Sequence, residues 1–372
     1  MEIRIAQETF SALLGRAQSV IERKSTRAIL ENILLEAYDG SIRISATDLR
    51  IALTQETPCL VGTPGAVAVS ARKLHEVVRE LPKAEVSVEV KENQWVTVRC
   101  GKITFHLPGM PAEDYPSMPP LPDTFLSFPS IVFRRMIEKT LFAASNDESR
   151  IFLTGVFLKE WVDEKNEAFL RMVSTDGHRL AMVDRPLPVT PGVFQVGVII
   201  PKKGLGEFRT LLEPLDGDFE LAASEGRLYA RVANTCLSVT LIDSSFPNYE
   251  QVIPSEVKTW VRINRVSLLN ALRRVSLLSD EETRTVVMEA TEDSVVLTSD
   301  NPRFGDAREE LEVEYRQSPV RIAFNAGYFL EILRVMDGED ISLGITDGLA
   351  PCVVRDAQDA RYLSVIMPMR IE

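Results

Sequence analysis

Three histidines and four cysteines are all that this 372-residue chain offers for soft metal ligation or thiol chemistry, and they are scattered. Cys59, Cys100, Cys236 and Cys352 form no C-x-x-C and have no close His partner. Structural zinc needs clustered ligands, so neither a metal nor any other cofactor is expected. Unclustered thiols fit a reducing compartment, where free Cys serves as a small core residue. No run of about 18 apolar residues is present to span a bilayer. The opening MEIRIAQETFSALL lacks the basic-then-apolar layout of a signal peptide, and a cytoplasmic location is expected. Nucleotide and nucleophile motifs are missing as well. There is no Walker A sequence, KKGLGEF holds only a lone G-x-G, and no G-x-S-x-G elbow occurs. Positive charge is in deficit: 42 Lys and Arg stand against 54 Asp and Glu, a net −12 that at first sight argues against a nucleic-acid partner.

What the chain does have is a repeat. Three segments carry the same order of signals. Each opens with a helix whose apolar residues recur at helical spacing: Phe10, Leu13, Leu14 and Ala17; Phe133, Met136, Ile137 and Thr140; Leu268, Ala271, Leu272 and Val275. An alternating, strand-like run follows, with a small hydroxyl residue and an Asp at its middle: Thr47-Asp48, Thr175-Asp176 and Ser299-Asp300. A short strand then leads into a second helix, at whose start stand Ser70, Pro201 and Asn325. Ser and Asn are capping residues, and Pro fits a first turn. More strand text closes each segment, the first two ending on Tyr115-Pro116 and Phe246-Pro247. The proline-rich SMPPLPDTFLSFP and the VIPSEVK around Pro254 read as connectors. The expected fold is α+β, one unit of two helices packed on antiparallel sheets written three times over 1–120, 125–250 and 255–372.

The same periodicity redistributes the charge. Six helix windows (9–24, 70–81, 130–144, 201–212, 264–278 and 325–336) hold sixteen Lys or Arg and six acids, a balance of +10, which leaves −22 on the rest. Equivalent helices sharing one positive surface would attract a polyanion through its phosphates without reading bases. Nothing in the chain resembles a recognition helix or an aromatic stacking platform. The motif STDGHRL places His178 near Asp176 and Ser174, which keeps a hydrolase among the readings. Asp-Gly is turn text, however, and the Asp recurs in every repeat whereas the His does not. A turn or capping role for the Asp is expected, and the chain reads as non-catalytic.

Three helix–strand units, the internal TDGHRLA and the terminal MPMR together resemble the bacterial DNA polymerase III beta subunits, the sliding clamps, over the whole chain. The resemblance implies a head-to-tail homodimer closed into a ring around double-stranded DNA, with helices lining the hole and sheets outside. It implies no enzyme activity of its own. The implied partners are the DNA polymerase III alpha subunit, a clamp loader complex, and other polymerases and repair proteins that dock short peptides. For the peptide groove it implies Leu153, Gly155, Thr175, Gly177, His178, Arg179 and Leu180 from the second unit, with Pro247 and Val252 from its end. Tyr328, Leu349 and Pro351 come from the third unit, and Met367, Pro368, Met369 and Arg370 from the tail. Facing DNA it implies Lys24, Arg150, Lys202 and Lys203, joined by the helix cations Arg72, Arg79, Arg134, Arg135, Lys139, Arg273 and Arg274. At the ring junction Phe105 would meet Leu277 and Leu278, and Lys73 and Lys102 would face Asp306 and Glu309. A peptide-binding scaffold that never encloses DNA is the alternative reading.

Overall fold

The computed structural model describes residues 1–21, 27–187, 194 and 197–370. Among them six α-helices form, one in each helix window: α1 Gln7–Val20, α2 Ala71–Glu80, α3 Ser130–Thr140, α4 Lys202–Leu212, α5 Arg265–Val275 and α6 Ala326–Val335. Amphipathic spacing is the cause. α1 buries Phe10, Leu13, Leu14 and Ala17, α3 buries Phe133, Met136, Ile137 and Thr140, and α5 buries Leu268, Ala271, Leu272 and Val275. The caps fall where the sequence puts them: Ser70 Oγ accepts from Lys73 N at 3.4 Å and Asn325 Oδ1 from Tyr328 N at 3.3 Å. Asn264 does the same for α5. Pro201 differs from expectation, ending the strand Val198–Pro201 just before α4 instead of entering its first turn. No helix of the described residues is long and apolar enough to cross a membrane.

The chain folds into two compact units, Met1–Ile131 with Lys203–Leu241, and Val132–Lys202 with Ile242–Glu372. The first holds a nine-stranded antiparallel sheet in the order Gly109–Met110, Gly65–Ser70, Asn32–Tyr38, Ser41–Thr47, Ile51–Pro58, Thr235–Thr240, Arg227–Val232, Asp218–Ser224 and Leu126–Pro129. Its second sheet has five strands: Leu60–Thr63, Glu2–Ala6, Glu85–Val90, Val96–Cys100 and Ile103–Leu107. The other unit holds an eight-stranded sheet in the order Val198–Pro201, Gly155–Val162, Ala168–Thr175, Arg179–Pro186, Tyr362–Ile366, Cys352–Asp356, Asp340–Ile345 and Thr259–Asn264. Its smaller sheet has four: Gly305–Glu312, Ser294–Asn301, Thr285–Thr291 and Val320–Asn325. Each large sheet contains a seam between repeats. Ile51–Pro58 pairs with Thr235–Thr240, setting Leu53 against Leu237. Arg179–Pro186 pairs with Tyr362–Ile366, setting Leu180 against Val365. Pro129 lies on an edge strand, where a missing N–H costs no ladder bond.

The repeated hydroxyl-Asp pair is a turn device. Asp48 Oδ1 accepts from the N–H of Arg50 and Ile51, and Asp176 Oδ1 from those of His178 and Arg179. Thr47 and Thr175 donate their hydroxyls to the carbonyls of Ile51 and Arg179. In the third repeat the register is one residue later than the sequence pairing suggests. Asn301, not Asp300, accepts from the N–H groups two and three residues on, at Arg303 and Phe304. Ser299 accordingly matches Ser174: each donates to the last carbonyl of the preceding helix, Val275 and Thr140.

Lys139, expected among the cations facing DNA, is 1% exposed. Its ammonium pairs with Asp359 Oδ2 at 2.8 Å and Asp337 Oδ2 at 3.0 Å and lies over the Tyr362 ring. Arg185 holds the same Asp359 at 2.5 Å, and Arg135 holds Asp337. Burial alone would raise the Asp359 carboxyl, but hydrogen bonds and charge from Arg185 and Lys139 outweigh it and hold the group below the usual carboxylate range; Asp337 behaves likewise. Because the folded values are depressed, this cluster stabilises the fold above the unfolded carboxylate value near pH ~4 and loses that contribution as pH falls through the folded value. Lys139→Met, which keeps the chain volume, is expected to cost about 1–3 kcal/mol at neutral pH and to flatten the acid limb of stability, measured by urea unfolding from neutral pH down to about pH 3.

Candidate functional site

An apolar cavity of about 340 Å³ opens where three stretches of chain meet over the eight-stranded sheet. The floor is a buried cluster of Val173, Leu180 and Val365. One wall is the turn of the second repeat, with Thr175, Gly177 and Arg179. Gly177 sits at φ +93°, a conformation that suits glycine, and its N–H donates to Thr175 Oγ1. The opposite wall is the connector Pro247 to Val252. Phe246 anchors it by stacking on Phe157 with ring centroids 4.9 Å apart, and Tyr249 takes a hydrogen bond from Arg171. Arg171 is itself held in a two-point pair with Asp184, at 2.7 and 2.8 Å. Leu153 and Met367 complete the lining. Met367 N donates to His178 O at 2.8 Å, extending the seam beyond its last strand pair.

Of the expected groove residues, Leu153, Thr175, Gly177, Arg179, Leu180, Pro247, Val252 and Met367 line this cavity together. His178 stands exposed at its rim, its ring stacked 6.0 Å from Tyr328. Asp176 meets His178 through the backbone N–H and gives its second oxygen to Arg179, so the two side chains form no catalytic dyad. The remaining residues lie elsewhere. Gly155 is packed inside the sheet, where an added Cβ would stand 2.5 Å from Ile200 O. Met369 N bonds Ala323 O, which carries Met369 to the four-stranded sheet. Leu349 is exposed in the turn capped by Asp347, Pro351 precedes the strand Cys352–Asp356, and Pro368 and Arg370 follow the last strand; none of these four lines the cavity. Sequence reasoning missed Phe152, Asn248, Tyr249 and Val365. Only Tyr249, close after the Phe246-Pro247 pair, left a signal there.

The expected DNA-facing residues divide. Arg150 lines the groove: its guanidinium is held at 2.8 Å by Asp147, whose carboxyl is pulled down to about 2 by hydrogen bonds from Ser149 and Arg150. Arg72 and Arg79 are exposed on α2 with partners Glu76 and Glu80. Arg273 and Arg274 are exposed at the C-terminal end of α5, where cations suit the helix dipole. Arg134 and Arg135 are half-buried on α3, Arg135 paired with Glu138. Lys202 donates to Asn146 and to Ala144 O, and Lys203 pairs with Asp48 at 2.6 Å. Lys24 lies outside the described residues. Among the junction residues Phe105, Lys102, Asp306 and Leu277 are exposed and Leu278 is half-buried. Lys73 and Glu309, expected to face another copy, each hold a partner in their own chain, Glu76 and Arg274, at short side-chain reach.

Arg179 ties the groove wall together. It pairs with Asp176 at 3.1 Å and with Glu331, donates to Phe142 O at 2.8 Å, and lies 4.5 Å over the Tyr328 ring. A lysine keeps the charge but loses the planar fork. Arg179→Lys is therefore expected to lower stability by about 1–3 kcal/mol, read as a lower urea midpoint at unchanged slope.

The chain matches the family models for the DNA polymerase III beta subunit throughout: the N-terminal domain over residues 1–119, the central domain over 127–248 and the C-terminal domain over 250–370. It is 33% identical to the beta sliding clamp of Caulobacter vibrioides over 100% of both chains. Among solved structures, the Caulobacter crescentus beta sliding clamp with polyethylene glycol bound superposes with a TM-score of 0.95 at 33% identity. The Bartonella birtlesii clamp bound to griselimycin gives 0.94 at 32%, and both cover 100% of each chain. The chain belongs to the beta sliding clamp family, the beta subunits of DNA polymerase III.

Proposed function

We propose that two copies of this chain close head to tail into a ring that encircles duplex DNA and tethers the replicative polymerase to it in the cytoplasm. Each copy contributes three clamp domains, 1–120, 125–250 and 255–372. The observation that carries this reading is a pair of unlike sheet edges in one chain. Ile103–Leu107 is the last strand of the five-stranded sheet, and Gly305–Glu312 the last of the four-stranded sheet. An open edge is a template for another strand. Joining the first edge of one copy to the second edge of the next satisfies both, and such a heterologous contact closes when the rotations sum to a full turn. Apolar side chains stand ready beside the edges: Phe105 is 38% and Leu277 78% exposed. Lys102 flanks one edge, and Asp306 lies on the other.

The protein is an accessory subunit without catalysis of its own. Exposed cations on the helices, Arg72, Arg79, Arg273 and Arg274 foremost, supply sequence-independent attraction to phosphate. The apolar cavity receives short peptides from the polymerase alpha subunit, the clamp loader, other polymerases and repair proteins. A flexible Met and a few fixed polar groups suit a site with several partners. That relatives take ligands, griselimycin in one and polyethylene glycol at a proposed beta-motif tethering region in another, supports this reading.

Two outcomes test the ring. Protein loaded on a nicked DNA circle should co-elute with it and be released when one cut linearises the circle; retention on the linear form would favour the open scaffold. Leu277→Glu, placed at an exposed position, should leave the melting temperature within about 1–2 °C of the parent. The same change should convert the sedimenting species from dimer to monomer, and an unchanged dimer would remove Leu277 from the junction.

A further inference from the structure

Arg179 lines a second cavity as well, of about 390 Å³, together with Tyr328, over whose ring it lies. Its walls are charged. Arg179 is already satisfied by Asp176 and Glu331, which removes Glu331 as a partner for others. Arg284 and Arg334 remain; among the described residues no carboxylate pairs with either, and Glu282 is the one acid of the lining not engaged by Arg179. The lining therefore holds three Arg against two Glu, and Arg284 and Arg334 are its guanidinium groups that no described carboxylate holds.

The backbone fixes this arrangement. Arg284 is in the left-handed region at φ +49°, its N–H bonded to Asp280 O and its carbonyl accepting from Ala326 N at 2.9 Å. These two bonds hold its side chain over the first turn of α6, whose dipole adds to the field. Gly327 keeps the approach open: a Cβ there would stand 3.0 Å from Asn325 Oδ1 and 3.5 Å from Arg284 Nη1. Arg179 lines both cavities, and Tyr328, which lines the second, stacks on the ring of His178 in the turn that walls the groove. The guanidinium groups of the second cavity are thus neighbours of the groove wall, where the flank of a seated peptide would leave it.

We propose that this cavity is a subsite for carboxylate side chains flanking the apolar core of a docked peptide, making the clamp prefer partners with acidic flanks. The proposal rests on the groove reading and concerns Arg284 and Arg334 as specificity-determining residues. Its test compares an apolar core peptide with the same peptide carrying two Asp at its N-terminal or its C-terminal end, by fluorescence anisotropy against the intact protein. In about 50 mM salt one acidic peptide should bind about three- to tenfold tighter than the core, and the gain should shrink in about 500 mM salt. The gain should vanish in Arg284→Gln/Arg334→Gln while core affinity stays unchanged, which also reports a folded groove. Arg334→Glu alone should turn the gain into a penalty. Equal binding of all three peptides, or a gain that survives the double variant, overturns the proposal. A single-stranded oligonucleotide whose binding is lost in the double variant while the peptides are unaffected would assign the cavity to nucleic acid and overturn it too. Absence of core-peptide binding would instead sink the groove reading itself.

Discussion

Everything the groove needs follows from one antiparallel seam, the pairing of Arg179–Pro186 with Tyr362–Ile366. Backbone N–H and C=O groups at a sheet edge must find partners, and here the chain's last strand supplies them to a strand some 180 residues earlier in the chain. Register then does the rest. Leu180 opposite Val365 builds an apolar floor, and the bond from Met367 N to His178 O carries the tail past the turn that walls the cavity. The matching seam in the first unit sets Leu53 against Leu237 but is crossed by a guanidinium, Arg227, which bonds Ser238, Thr240 and Arg50 O. The same backbone solution thus carries an apolar recess in one place and a polar strap in another, decided by side chains alone.

Charge works on a second level. Several helix cations already hold an in-chain carboxylate: Arg72 and Lys73 share Glu76, and Arg274 takes Glu309. Exposed pairs of this kind contribute about 0–1 kcal/mol each, so they neither anchor the fold nor quench the field completely. A phosphate arriving at such a cation exchanges one partner for another instead of gaining a fresh bond. For a protein meant to travel along DNA, attraction that is long-ranged yet shallow at contact is the useful form.

What could be read from sequence was what is local. Helix spacing located all six helices because an amphipathic stripe is written within one turn or two, and Ser70 and Asn325 declared their caps for the same reason. The Thr-Asp turns were legible in two repeats. In the third the pattern Ser299-Asp300 mimicked them, while the residue that accepts the turn N–H groups is Asn301, an amide doing a carboxylate's work. Lys139 was misread because its partners, Asp337 and Asp359, arrive from the other end of the chain, and no window around α3 contains them. Phe152 and Val365 escaped for the converse reason: each looks like ordinary core text, and only the folded chain brings it to the cavity.

The repeat and the compact unit are out of phase, and that offset has a physical consequence. Three segments repeat in sequence, yet the second gives Val132–Lys202 to one unit and Lys203–Leu241 to the other. A sequence repeat ends where a connector runs, whereas a sheet ends where pairing stops, and both large sheets run through a connector boundary. Unfolding the second segment must therefore open both large sheets, with Leu53–Leu237 and Leu180–Val365 lost together. Cooperativity of that kind keeps a chain of three similar domains from behaving as beads on a string, because no segment can leave without exposing the edge of its neighbour.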